Sequence, residues 1–142
     1  MAGVEKAKQL LEEIGRHARE HEYKELFRLA ADPGAHQLLR LLPERELRQA
    51  EVHLDAARFW RAQQNEKLAG KLDEAARALK GLDLQLARGI LRKVDWEILD
   101  DEKLDRFNQL FLAVEARAVE LEQLSEVAES SPPQRSRRFW RS

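Results

Sequence analysis

The first 42 residues hold two apolar stretches separated by a strong stop signal. Apolar side chains recur every three or four residues up to Ala18, which is the spacing of one face of an α-helix. This spacing predicts a helix from about Val4 to Ala31, although Gly15 and the polar residues 17–22 weaken its middle and leave a break there open. The stripe consists of Val4, Ala7, Leu10, Leu11, Ile14 and Ala18.

The segment Asp32-Pro33-Gly34 ends this helix and can also begin another. Aspartate is a favoured N-cap residue, and proline fits the first position of a helix. We therefore predict a short second helix that ends before Pro43. Its apolar residues are Leu38, Leu39, Leu41 and Leu42.

Residues 44–80 continue the helical spacing without a strong breaker. Pro43 suits a first turn, and the acids Glu44 and Glu46 are favourable at the positive end of a helix. We predict one long helix, with two helices that meet near Asn65 as the alternative. The apolar set is Leu47, Ala50, Leu54, Ala57, Trp60, Leu68, Leu72, Ala75, Ala76 and Leu79.

Phe59 and Trp60 are neighbours inside this long helix and stand between two arginines. Adjacent side chains of a helix cannot both point into a narrow core. The pattern therefore predicts either that one of them is exposed or covers a neighbouring element, or that a wide bundle face buries both.

Gly81 and Asp83 mark the next boundary. We expect Gly81 to end the long helix in the left-handed conformation and Asp83 to cap a helix over residues 84–94. Residues 95–99 are expected to form a short connector with one helical turn, where Trp96 is available as an apolar plug.

The last helix is predicted to begin at the acids of residues 100–102 and to run to about Glu129. Its apolar seam follows spacings of three and four, which is a heptad pattern, and three further apolar residues widen it into the face of a bundle. The pattern does not distinguish burial within the chain from burial against a second copy, so self-association through this helix is a prediction as well. The seam is Leu104, Phe107, Phe111, Val114, Ala118 and Leu121, widened by Leu110, Val119 and Leu124.

Residues 76–95 resemble the hairpin half of a tetratricopeptide repeat. The shared positions are Ala76, Leu79, Gly81, Asp83, Ala87, Leu91 and Asp95. The likeness covers one copy, and Lys71 and Ala75 stand where that repeat has its aromatic and glycine residues. One such unit cannot bury its own faces. We therefore interpret this segment as a generic helical hairpin.

Composition agrees with a helical fold. Leucine, alanine, glutamate, lysine, arginine and glutamine dominate, and threonine does not occur. These are strong helix formers, whereas β-branched residues are few. The predicted fold class is all-α, an antiparallel helical bundle or short stack of helical hairpins with four to six helices. We assign residues 1–129 to one helical domain and residues 130–142 to a flexible, disordered C-terminal tail.

Charge is distributed unevenly along the chain. The tail carries four arginines and no acid, while the rest of the chain has a net charge of −5. An acidic body argues against nucleic-acid binding by the helices, because affinity for phosphates depends on clustered lysine and arginine.

The usual catalytic patterns are missing from the sequence. The chain has no cysteine or threonine, its serines occur only from Ser125 onward, and its six glycines are dispersed. These facts argue against thiolate sites, nucleophilic triads and phosphate-binding loops. The acids of residues 100–102 lack the spacing of a calcium-binding loop. We accordingly predict no enzyme activity, no catalytic residue and no cofactor.

The histidines give the only candidate metal pattern, and it is weak. His17 and His21 are one helical turn apart, but Ala18 occupies the position where zinc proteases carry glutamate. None of the four histidines has an acid three residues earlier, as di-metal helical bundles require. We expect a solvated helix face rather than a metal site.

The tail is the candidate binding site. Arginine next to aromatic residues combines bidentate hydrogen bonding with apolar area, a good composition for anchoring to another protein. The proposed partner-binding residues are Arg135, Arg137, Arg138, Phe139, Trp140 and Arg141.

The sequence therefore predicts a cytoplasmic, non-enzymatic protein–protein interaction module, such as an adaptor, a chaperone-like factor or an assembly subunit. The expected partner is another protein, with a homo-oligomer through the last helix as a further possibility. The alternative is an accessory protein that binds nucleic acid or an anionic membrane surface through the basic tail.

Overall fold

The computed structural model describes residues 2–130, with side chains up to residue 127. Within this range the chain forms six α-helices, one 3₁₀ turn and no strand, which confirms the predicted all-α class. The helices are α1 (Ala2–Arg19), α2 (Tyr23–Ala30), α3 (Pro33–Leu39), α4 (Glu44–Lys80), α5 (Leu84–Lys93) and α6 (Asp101–Ser130), and the 3₁₀ turn is Trp96–Ile98. The predicted tail of residues 130–142 lies outside the described residues apart from Ser130.

The region predicted as one helix up to Ala31 is two helices. Helix α1 ends at Arg19, and His21 follows it with φ 56°, in the left-handed region. The amide of Glu22 then donates to the carbonyl of His17 at 2.9 Å, and the amide of His21 donates to that of Ala18 at 3.2 Å. This pair of bonds is the Schellman motif, which closes the end of a helix and turns the chain away.

The same motif ends α4, but at a different residue from the one expected. Leu82, not Gly81, takes the left-handed conformation, with φ 63°. The amide of Asp83 donates to the carbonyl of Ala78 at 2.9 Å, and that of Leu82 donates to Leu79 at 3.0 Å. The prediction for Gly81 was wrong by one position, because the amide of Gly81 still donates a helical bond to the carbonyl of Arg77 at 3.0 Å, and the left-handed residue comes after it.

Two predicted caps and the long helix are confirmed. Asp32 accepts a hydrogen bond from the amide of Gly34 at 3.0 Å, with Pro33 as the first residue of α3. Asp83 accepts from the amide of Leu86 at 3.2 Å and caps α5. Residues 44–80 form one continuous helix of 37 residues.

The helices are grouped into two compact units. The first unit contains α1, α2, α3, the part of α4 up to Ala69, and the segment Glu97–Asp100. Its core is made by apolar stripes of the four helices, and each large aliphatic side chain buried there contributes about 1.5–3 kcal/mol. The core residues are Ala7, Leu10, Ile14, Leu26, Ala30, Ala35, Leu39, Leu42, Ala50, Leu54 and Ala57.

Polar contacts of α4 hold the segment Glu97–Asp100 within the first unit. Arg61 donates to the carbonyls of Ile98 and Leu99 at 2.7 and 2.9 Å. The buried amide of Asn65 donates to the carbonyl of Ile98 at 2.8 Å and accepts from the amide of Asp100 at 2.8 Å. These bonds satisfy backbone groups that regular secondary structure does not pair.

The second unit contains α4 from Gly70 onward, α5 with Trp96, and α6. Small and aliphatic side chains of the three helices form its core, and one ion pair joins Arg106 of α6 to Asp73 of α4 at 2.6 Å. The buried alanines of this core, Ala75, Ala78 and Ala87, lie on α4 and α5. The buried residues are Leu72, Ala75, Ala78, Ala87, Leu91, Val94 and Val114.

None of the described helices combines the length and the apolar character needed to cross a membrane.

Candidate functional site

An open groove of about 360 Å³ lies between α5 and α6 in the second unit. Helix α5 forms one wall, the first half of α6 forms the other, and Trp96 lies at one end. The size falls within the range of pockets that hold a few side chains or a small ligand. The lining residues are Arg88, Leu91, Arg92, Val94, Trp96, Phe107, Phe111, Val114 and Glu115.

Three aromatic side chains give the groove its apolar surface. Phe107 and Phe111 are one turn apart on α6, and their rings stack with centroids 6.3 Å apart. Trp96 is 56% exposed and Phe111 is 46% exposed. The expectation that Trp96 would act as a plug is therefore wrong, because this side chain stays largely open to solvent. Exposed, clustered aromatics of this kind are typical anchors of protein interfaces.

Positive charge follows one side of the groove. Helix α5 carries Arg88, Arg92 and Lys93 and no acid. Arg88 donates two parallel hydrogen bonds to Glu115 of α6, both 3.0 Å long, and so ties the two walls together. Among the described residues Arg92 makes no ion pair, so its guanidinium remains available to an incoming carboxylate.

The predicted seam of α6 is only partly buried. Val114 is 1% exposed, but Phe111 and Leu121 are exposed on the same seam. Sequence periodicity predicts that all six seam positions belong to a bundle face. An apolar stripe alone does not show which of its residues have a packing partner. The helix continues beyond α5, and from residue 116 onward no described side chain is buried.

The histidines do not form a chelating pair. His17 is 8% exposed, and its two ring nitrogens approach Glu13 at 3.5 Å and Glu22 at 3.1 Å. His21 lies beyond the end of α1 and contacts Tyr23. The expected solvated face is therefore wrong for His17, which belongs to a buried polar contact. Within the described range no group of three or more potential ligands could hold a metal.

Phe59 and Trp60 differ in exposure, which agrees with the first of the two predicted alternatives. Phe59 is 66% exposed, whereas Trp60 is half-buried and stacks on Tyr23 with ring centroids 6.1 Å apart. Trp60 thus covers α2 within the first unit. Val52, also 66% exposed, lies seven residues before Phe59 on the same helix, two turns away.

The candidate tail residues cannot be placed relative to this groove. Arg135, Arg137, Arg138, Phe139, Trp140 and Arg141 all lie outside the described residues. Their role as a partner anchor stays a prediction from the sequence.

Sequence reasoning missed the groove and the buried amide of Asn65. For Asn65 a signal was present, since it falls at helical spacing between Ala57, Arg61 and Leu72 and so shares a face with core residues. For the groove, the pattern identifies the aromatic residues as apolar, but it does not show that they line an open groove beside α5.

Comparison with models of protein families found no match, and neither the curated proteins nor the solved structures include one that is significantly similar to this chain.

Proposed function

We propose that this chain is a non-enzymatic protein–protein interaction module, an adaptor or assembly subunit, that binds a helical segment in the groove between α5 and α6. One observation carries the proposal: an aromatic groove lies open on the surface of the second unit, with Trp96 and Phe111 about half-exposed at its rim. Apolar grooves between helices are a common receptor for an amphipathic helix. A cytoplasmic location is part of the proposal.

The charges of the groove specify the chemistry of the helix it would bind. Large aliphatic side chains on one face would fill the space above Phe107 and Phe111. Acidic residues beside them would meet Arg92 on α5, because complementary charge fixes orientation and suppresses wrong partners. The proposed ligand is therefore an amphipathic helix with leucine-like anchors and an acidic flank.

A fluorescence titration tests this proposal with a defined probe. Trp60→Phe and Trp140→Phe leave Trp96 as the only tryptophan, so its emission reports on the groove. The probe is a capped amphipathic peptide of about 16 residues, long enough to become helical on binding, with leucines on one face and glutamates beside them. A matched peptide carries lysine in place of every glutamate.

We expect the acidic peptide to shift Trp96 emission to shorter wavelength in a saturable manner and the lysine peptide to bind at least about tenfold more weakly, which corresponds to 1.4 kcal/mol. Phe111→Ser should abolish the shift. Phe59→Ser, which alters an exposed aromatic of the other unit, should leave it unchanged. Equal binding of both peptides, or no shift with either, would contradict the proposal.

The nucleic-acid and membrane alternatives depend on the basic tail. No contact of the described residues favours either of them, and the tail is tested separately by truncation.

A further inference from the structure

We infer that the first unit holds a separate binding site for a small organic anion, in a cleft between α1 and α4. The negatively charged head of the ligand would lie between Arg19 and His53, and its apolar body would lie against Ala18 and Leu26. The inference does not depend on the proposed function, which concerns a groove of the second unit.

The cleft consists of two cavities of about 420 and 270 Å³. The cavities adjoin, because three residues line both of them: Gly15 and Arg19 of α1, and His53 of α4. Sites for small molecules commonly have volumes of about 300–1,000 Å³, and the larger cavity falls within this range. Leu11, Glu12 and Gln49 complete the larger cavity, and Ala18, Tyr23, Leu26 and Ala56 complete the smaller one.

The guanidinium of Arg19 turns back over Gly15. A Cβ atom placed on Gly15 would lie 3.5 Å from Nη1 of Arg19. Gly15 lies one helical turn before Arg19, so the guanidinium points away from the open carbonyl groups at the end of α1. Among the described residues Arg19 makes no hydrogen bond or ion pair, so its positive charge is available to a ligand in the cleft.

His53 provides a second donor from the opposite wall. The residue is half-buried on α4, and within the described range its ring has no hydrogen bond or ion pair. An imidazole carries at least one N–H donor in either protonation state. A guanidinium and an imidazole that line the same cleft from two helices can bind one carboxylate or phosphate together.

Gly15 leaves room for the ligand between these two side chains. Glycine inside a helix is less favourable than alanine, and the backbone does not require it here, because no described glycine has a positive φ. The contact that a Cβ atom would make with Arg19 is of ordinary length. A side chain larger than alanine, however, would extend into the space that Arg19 and His53 line. The glycine is therefore explained by an open cleft.

The two ends of the cleft differ, which fixes the orientation of the ligand. Apolar side chains and the ring of Tyr23 line the smaller cavity, which therefore suits an apolar body. The larger cavity holds the carboxylate of Glu12, which repels a second negative charge. The chemical class of the ligand is therefore a small aromatic or aliphatic carboxylate or phosphate monoester, with a single anionic head.

Titrations of the full chain, followed by ¹H–¹⁵N correlation spectra, test the site. The probes are benzoate, phenyl phosphate, inorganic phosphate and neutral benzyl alcohol. We expect saturable shifts centred on residues 15–19 and His53 with benzoate or phenyl phosphate, and the tighter of the two identifies the head group. Inorganic phosphate and benzyl alcohol should each bind at least about tenfold more weakly than that probe, because each lacks one half of the ligand.

Charge variants test the two donors with the tighter probe. Arg19→Gln should weaken binding at least about tenfold, and His53→Gln at least about threefold, because each removes a donor to the anion. Glu12→Gln should strengthen binding, since it removes a repelling charge. Arg45→Gln is the control, because it removes an exposed positive charge of α4 that lines neither cavity. Equal losses in Arg19→Gln and Arg45→Gln would show that the anion responds only to net charge and would overturn the inference.

Gly15→Leu tests the space itself. Leucine is a better helix former than glycine, so the melting temperature should not fall, while the new side chain fills the cleft and abolishes binding. Gly70→Leu makes the same change at an exposed glycine of α4 with open space around it, and should leave the affinity unchanged. Wild-type affinity in Gly15→Leu, benzyl alcohol binding as tightly as the anions, or saturable shifts away from the cleft would each refute the site.

Discussion

His17 and Glu22 are joined twice at the end of α1. The amide of Glu22 donates to the carbonyl of His17 at 2.9 Å, and the carboxylate of Glu22 lies 3.1 Å from Nδ1 of the same histidine. The backbone bond closes the Schellman motif, and the side-chain contact fixes the turn that follows. A sequence that resembles one amphipathic helix up to Ala31 is thereby divided into α1 and α2.

This contact predicts that the stability of the first unit depends on pH. Hydrogen bonds with the side chain of Glu20 and then with His17 lower the pKa of Glu22 below its ordinary value of 4.5. A carboxyl with a lowered native pKa stabilises the fold above its unfolded pKa, and this contribution disappears as the pH falls through the native pKa. Glu22→Gln should therefore lower the melting temperature at pH 7 and have a smaller effect at pH 3.

Thermal unfolding followed by circular dichroism at several pH values checks this prediction. Glu12→Gln, an exposed residue of α1 for which no ion pair is recorded among the described residues, is the control and should have no effect at either pH. A constant difference between the wild type and Glu22→Gln across the whole pH range would show that the charge of Glu22 is not involved.

Leu82 occupies a backbone conformation that favours glycine. An L-residue in the left-handed region costs about 1–2 kcal/mol, whereas glycine tolerates it. Leu82 is 51% exposed, so removing its side chain loses few packing contacts. Leu82→Gly should raise the free energy of unfolding by about 1 kcal/mol in urea titrations. Leu82→Ala, which keeps the strain, should be no more stable than the wild type, and the prediction is wrong if alanine stabilises as much as glycine.

The positions of the helices could be predicted from the sequence because their signals are local. Asp32 and Asp83 cap helices by accepting hydrogen bonds from amides two or three positions away, so these helix starts depend only on neighbouring residues in the sequence. The continuity of α4 followed from the absence of a breaker. The exact ends were less certain, as the shift from Gly81 to Leu82 shows, because Schellman closure depends on where the last helical bond forms.

The groove and the attachment of the segment Glu97–Asp100 to α4 could not be predicted in this way, because both arise from contacts between residues that are distant in the sequence. Asn65 meets the backbone of Ile98 and Asp100, more than thirty residues away. Phe107 and Phe111 resemble core residues in the pattern of α6, but they line an open groove beside α5. Periodicity identifies an apolar face but not what covers it.

Asn65 is predicted to be the most sensitive polar residue of the first unit. Its buried amide satisfies three backbone groups, the carbonyls of Arg61 and Ile98 and the amide of Asp100. Asn65→Ala would leave buried polar groups without a partner, at a cost of about 1–3 kcal/mol for each group that water cannot reach. We expect urea titrations to show a loss of about 2–4 kcal/mol in total.

The control for this substitution is Gln63→Ala, an exposed amide on the same helix that should change stability by less than about 0.5 kcal/mol. Equal effects of the two substitutions would mean that the hydrogen bonds of Asn65 contribute nothing beyond helix propensity.

Truncation before residue 130 separates the groove from the tail as the binding site. The last buried side chain among the described residues is Val114, so removing residues 130–142 should leave helicity and the melting temperature nearly unchanged. If the groove is the site, the truncated chain still binds the acidic peptide. Binding should be weaker at low salt, because the net charge of the chain changes from −1 to −5 and repels an acidic peptide more strongly. If binding of a partner is instead lost on truncation while peptide binding persists, Arg135, Arg137, Arg138, Phe139, Trp140 and Arg141 form a second, independent anchor, and Phe139→Ala with Trp140→Ala in the full chain should reproduce that loss.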